Sequence, residues 1–200
     1  MKIFKENSYD IVRLYVNQLG IMIFSMLLYT AVGSFENEKL STALSVFVSI
    51  FSICFYLVLI YYVVWEIGAK DKIRIDGNRM EPCEKKGLIM GLFANIPNFV
   101  LGALTTLLLG LFMLTSNDGV YAGFLILNTF TRFHEAMYLG LITEIIPGAG
   151  TGIDYGEFFA ESVLFTVIPV ISPLVTHLAY TLGSKEKKIF DFVKKNNGTK

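Results

Sequence analysis

Long apolar runs broken by short polar stretches set the pattern of this chain. Four runs, at 16–33, 42–65, 88–114 and 158–182, are apolar over most of their length. At about 1.5 Å per residue, 18 to 25 such residues cross a hydrocarbon layer about 30 Å thick, and a helix satisfies its own backbone there. The last run contains Pro169 and Pro173, which such helices tolerate where neighbours take up the freed carbonyls. A fifth run, 120–146, is different. Asn128, Arg132, Glu135 and Thr143 recur in it at helical spacing, while Leu125, Phe133, Met137 and Leu141 supply apolar surface. Asp118 and Gly119 predict a turn before it, and the stretch PGAGTG predicts a loop after it. The pattern predicts an all-α, polytopic helical membrane protein: one integral membrane domain over 1–200, with four transmembrane helices and an extra outer segment at about 120–146, either interfacial or re-entrant.

The charges give this scheme an orientation. Loops kept in the cytoplasm carry the Lys and Arg excess. Four crossings with both ends inside place fifteen of the seventeen basic residues on the inner side, leaving Lys39 and Arg132 outside with Glu36, Glu38, Asp118, Glu135, Glu144, Asp154, Glu157 and Glu161. A fifth crossing would export the lysine-rich end. The expected location is the plasma membrane, with cytoplasmic N- and C-termini. A cleavable leader is the rival reading of the first run, but Glu6 and Asp10 stand where a basic region belongs. The inner stretch 66–86, with Ile73, Arg74 and Ile75 before Asp76, Gly77 and Asn78, reads as a short hairpin or turn. The tail 184–200 carries Ile189, Phe190, Phe192 and Val193 among lysines, the pattern of an amphipathic helix on an anionic leaflet or of a frayed topogenic tail. Its Asn197–Thr199 acceptor pattern for glycosylation would face the cytoplasm and is discounted.

Composition agrees with the pattern. Of 200 residues, 54% are hydrophobic and 17% charged, and the mean hydropathy is +0.56. This is more apolar material than one small core hides from water. The formal charge is zero, so no general attraction for nucleic acid is expected. Cys54 and Cys83 have no partner spacing for a disulfide or a thiolate metal site.

Polar residues within the runs are the candidates for function. Ser41, Ser45, Ser49, Ser52 and Tyr56 form one helical stripe, read as packing. Gly87, Gly91, Asn95, Asn98, Gly102 and Thr106 form another, which Pro97 interrupts between the two asparagines. Pro169 and Pro173 bracket Ser172 and should bend or break the last helix. By depth along the helices, Asn17, Gln18, Asn95, Asn98, Ser172, Thr176 and His177 are the candidates for one inward-facing polar pocket binding a ligand or lining a pore. The bland alternative is that the amides are interhelical glue.

An outer polar cluster comprises Arg132, His134 and Glu135. Its bland reading is a surface ion pair between Arg132 and Glu135 on an acidic face. The sequence HEAMY lacks the second histidine of a metal-binding HExxH helix, so no metal is assigned. No catalytic residue set is found. Asp76 and Gly77 open as the signature of enzymes that transfer phosphoalcohols does, but the later aspartates are missing. No cofactor is expected.

The stretches GAKD at Gly68 to Asp71, GNR at Gly77 to Arg79, GLFANIPNF at Gly91 to Phe99 and YTLGSK at Tyr180 to Lys185 resemble a group of small uncharacterised polytopic membrane proteins of Gram-positive bacteria. The resemblance implies a bacterial plasma membrane and brings no activity. The sequence therefore predicts a protein without chemistry of its own, held in a lipid bilayer. It is expected to act as a subunit or accessory of a transport-type assembly, with a membrane-protein partner or as a homo-oligomer. The alternatives are a self-sufficient small solute or ion permease and, third, a metal-dependent enzyme using His134, Glu135 and nearby carboxylates.

Overall fold

A computed structural model describes residues 7–146 and 155–187. All regular structure among them is helical: α1 Ser8–Val32, α2 Glu38–Asp76, α3 Lys86–Ala94, α4 Ile96–Thr115, α5 Asp118–His134, α6 Ala136–Ile145, α7 Tyr155–Val167, a 3-10 turn Ile168–Val170 and α8 Ile171–Gly183. Four stretches are long and apolar enough to cross a membrane: Ser8–Val32, Lys39–Asp76, Ile96–Thr115 and Tyr155–Gly183. The predicted loop PGAGTG and the amphipathic tail from residue 188 onward lie outside the described residues.

The expected breaks fall at the prolines. Pro97 sits in the first turn of α4, directly after Asn95 separates α3 from α4. That is where a missing N–H costs nothing, because the first turn has no intrahelical acceptor for it. Pro169 lies in the 3-10 turn between α7 and α8. The stretch 66–86 differs from expectation. Helix α2 continues through Ile73 and Ile75 to Asp76, and the turn comes only at Gly77 and Asn78, where Asn78 has a φ of 53°. Glu66 and Lys70, 2.7 Å apart, and Lys72 and Asp76, 2.9 Å apart, are i,i+4 pairs that favour helix over hairpin.

The chain forms two compact units. The first comprises Met1–Tyr15, Leu57–Ala94 and Ile171–Lys200. In it α3 packs on α8 through bare glycines. A Cβ on Gly87 would strike Tyr180 and the Thr176 carbonyl, and one on Gly91 would strike Thr176 and Pro173. Gly183 lies against the Trp65 backbone of α2, whose indole N–H donates to the Lys187 carbonyl at 2.8 Å. Beneath these contacts the buried Asp71 carboxylate accepts from Lys86 Nζ at 2.6 Å and from the Tyr180 hydroxyl at 3.1 Å.

The second unit comprises Val16–Tyr56 and Asn95–Val170. Here α4 packs against both α5 and α7. The Thr105 and Thr131 hydroxyls are 2.8 Å apart, and the Thr106 hydroxyl donates to Ser162 Oγ at 3.1 Å. Phe112, Tyr121 and Tyr155 cluster with ring centroids 4.7 to 5.9 Å apart. Asn117 caps α5, its side-chain oxygen accepting from the N–H groups of Gly119 and Val120.

The polar face of α5 points inward. Asn128 is 7% exposed and Thr131 is fully buried, whereas Ile126 and Phe130 are 63% and 64% exposed. A helix resting on a water-soluble core shows the opposite arrangement.

Candidate functional site

The polar interior of the second unit is assembled from six helices, α1, α2 and α4 to α7. On α1, Gln18 is fully buried and its Nε2 donates to Asn98 Oδ1 at 2.6 Å, while Asn98 Nδ2 donates to Asn95 Oδ1 at 3.0 Å. Three amides, two of them flanking Pro97, thus form one chain across the start of α4. Asn17 is only partly buried. Of the seven residues predicted to share a pocket, the structure joins Gln18, Asn95 and Asn98 directly.

Ser172, Thr176 and His177 belong to the first unit. Ser172 and Thr176 are buried, and the Thr176 hydroxyl donates to the Pro173 carbonyl at 2.9 Å within its own helix. His177 lines a separate cleft of about 350 Å³ with Lys72, Asp76, Glu84, Thr181, Ser184 and Lys185.

On α2, the stripe read as packing makes specific polar contacts. Ser49 Oγ accepts from the Leu141 N–H at 3.2 Å, and the Tyr29 hydroxyl of α1 accepts from the Gly140 N–H at 2.7 Å. Tyr29 and Ser49 also hydrogen-bond each other. Gly140 is bare because a Cβ there would collide with the Ser45 carbonyl and the Tyr29 hydroxyl. Tyr29 was not singled out from sequence, since an isolated tyrosine in an apolar run reads as core.

The outer cluster is rearranged. Arg132 does not pair with Glu135 as a surface couple. Its Nη2 lies 2.6 Å from Glu161 Oε2 on α7, and its guanidinium lies 6.0 Å from the centre of the Phe158 ring. Glu161 is buried, so this is an interior ion pair. Burial lowers the pKa of His134.

Glu135 forms the break between α5 and α6, with φ −109° and ψ 29°. Its N–H donates to the Thr131 carbonyl at 2.9 Å and its carbonyl accepts from Tyr138 N–H at 2.9 Å. Its side chain has no exposed surface, and neither carboxyl oxygen has a hydrogen-bond partner among the described residues. The N-terminal dipole of α6 favours an anion here and the C-terminal dipole of α5 opposes it, so neither replaces the lost hydration. Glu135 lies outside the four long apolar helices, and burial raises its carboxyl well above the ordinary range. Tyr138 is likewise raised, first by burial and then by the neighbouring Tyr56 and Glu135.

Gln18 Oε1 and Ser52 Oγ are also buried without a partner. Among the described residues, no three His, Cys, Asp or Glu side chains group as a metal site. The second unit therefore offers buried, oxygen-rich positions beside a helix break. Comparison with family models, with curated proteins and with solved structures finds no match.

Proposed function

We propose that this protein is a small membrane permease whose polar interior in the second unit receives a polar or cationic guest. One observation carries this reading: Gln18 Oε1, Ser52 Oγ and both Glu135 oxygens are buried with no hydrogen-bond partner among the described residues. Buried polar atoms are nearly always paired, and concave sites set a few polar groups in an otherwise apolar wall. Solute sites in membranes often lie at broken helices, and the helices of this unit are interrupted at Asn95 and Glu135.

On this reading the chain crosses the bacterial plasma membrane four times with both ends in the cytoplasm, as its basic residues favour. Helices α5 and α6 form a re-entrant hairpin entering from the outer side. The apolar outward face of α5 supports this, because that face matches lipid rather than water.

An accessory subunit of a larger assembly is the second reading. It draws on the small-residue stripes, the small size of the parts outside the long apolar helices and the lack of a recognisable catalytic set; of these the stripe is weakened, because Gly87, Gly91 and Gly102 are occupied by contacts within the chain.

Native mass spectrometry of the protein extracted gently from its host separates the two. A copurifying small polar molecule, absent when Gln18→Met and Asn98→Leu are combined, supports the permease. A stoichiometric protein partner without any small molecule overturns it in favour of the subunit.

A further inference from the structure

We propose that Glu135 is a reversible proton-binding site, loaded as a neutral carboxylic acid when the interior of the second unit is closed and unloaded when water or a guest enters. The inference rests on the permease reading for its role in coupling, but its chemistry stands on geometry alone. The side chain is fully buried and both oxygens lack a partner. An isolated buried carboxylate is far costlier than the neutral acid, so the group holds a proton until hydration or a cation replaces it.

The surroundings offer no other neutraliser. From α6 the ionisable group coupled to Glu135 is the phenol Tyr138, which is coupled in turn to the phenol Tyr56 of α2. On α5, Arg132 is committed to Glu161 of α7, and His134 is held toward its neutral form. Within the second unit, α1 from Val16 onward and α4 carry no Lys, Arg, His, Asp or Glu. Among the described residues of the second unit, no Lys or Arg is buried. The position is also suited to exchange. Glu135 is the hinge residue between two helices, so a change there alters the ladder of neither helix interior. On unloading, the O–H bond breaks, the proton passes to the entering water, and the carboxylate keeps the electron pair.

The test is infrared difference spectroscopy of the full-length protein in lipid nanodiscs, with Glu135→Gln as the reference. At neutral pH the wild type should show the carbonyl stretch of a weakly hydrogen-bonded carboxylic acid that the variant lacks. The band should shift on transfer to D2O and vanish at alkaline pH. A spectrum identical in the two proteins overturns the assignment, and so does a band that never shifts in D2O, which marks a permanently locked acid. Loss of the band on adding sodium at fixed pH, but not choline, overturns the proton as ligand and makes the site an alkali-cation site. Thermal melting of both proteins confirms that Glu135→Gln is folded; should it be unfolded, Glu135→Asp, expected to move the band without removing it, replaces it. If the band belongs to Glu135 and yet no guest is ever carried, the permease reading fails while the proton site stands.

Discussion

Arg132 Nη2 and Glu161 Oε2 meet at 2.6 Å, joining the end of α5 to the middle of α7 with the carboxylate fully enclosed. Removing one partner of a buried pair leaves an uncompensated charge, at a cost of about 3–5 kcal/mol. Arg132→Ala should therefore destabilise strongly, and Arg132→Ala in a Glu161→Gln background should recover much of the loss. A double-mutant cycle of thermal stability in detergent measures this. Additive losses would mean that the pair contributes no coupling.

The amide chain permits separation of stability from binding. Asn98→Leu alone strands the Gln18 amide in the interior, a loss of about 1–3 kcal/mol. Replacing both partners, as Gln18→Met with Asn98→Leu, should restore stability toward wild type while abolishing guest retention. A double variant no more stable than Asn98→Leu would contradict the pairing.

Close approach makes Gly140 intolerant. Gly140→Ala drives a methyl group into the Ser45 carbonyl and should lower the melting temperature. Tyr29→Phe removes the acceptor for the Gly140 N–H together with the bonds to Ser49 and the Ser45 carbonyl but adds no atom to the contact, and should cost about 1–3 kcal/mol. Equal effects of the two changes would show that the steric contact is unimportant.

The sign of the pH response at Glu135 is fixed by burial. Its pKa is raised in the folded state, so the folded protein holds more protons than the unfolded chain above the ordinary carboxylate pKa. The contribution to stability is greatest below that value and is lost as pH rises toward the folded-state pKa. Melting temperatures of wild type and Glu135→Gln measured from pH 4 to 9 should therefore diverge, with the variant gaining as pH rises. Parallel curves would place Glu135 in contact with water.

Re-entry of α5 has its own signature. In a background with Cys54 and Cys83 replaced, a cysteine at Asp118 should react with a membrane-impermeant maleimide applied outside. One at Phe130, 64% exposed to the surroundings of the protein, should resist it. Rapid labelling at both positions would put α5 on the aqueous surface.

Much of the architecture was legible in the sequence. The four long apolar runs, the break at Pro97 and the interruption at Pro169 all follow from local rules that need no tertiary information, whereas the turn expected at Asp118 and Gly119 falls at Ser116 and Asn117, because the Asn117 side chain caps a helix that already includes Asp118. The helical extension of α2 past Trp65 was obscured because Ile73 and Ile75 alternate like a strand, while the Lys72–Asp76 pairing acts at helical spacing. The polarity of α5 was the deeper difficulty. Arg132 and Glu135 lie three residues apart and look like a surface couple only if water is assumed on that side. Their separation into an interior pair with Glu161 and a lone buried acid depends on α7, a remote segment, and on the break in the helix at Glu135. Spacing along one helix carries neither fact. Gln18 and Asn98 were legible as polar candidates, since each is conspicuous in an apolar run, but their mutual bond spans 80 positions.

The Arg132–Glu161 contact also bears on how the chain is made. On the re-entrant reading, α5 leaves the ribosome carrying a cation that costs about 2.5–3.5 kcal/mol at the centre of an inserting helix. Its counterion is 29 residues downstream. The hairpin therefore cannot settle in the order of synthesis. On that reading it waits until Glu161 has emerged, and α7 licenses the burial of a helix made two elements earlier.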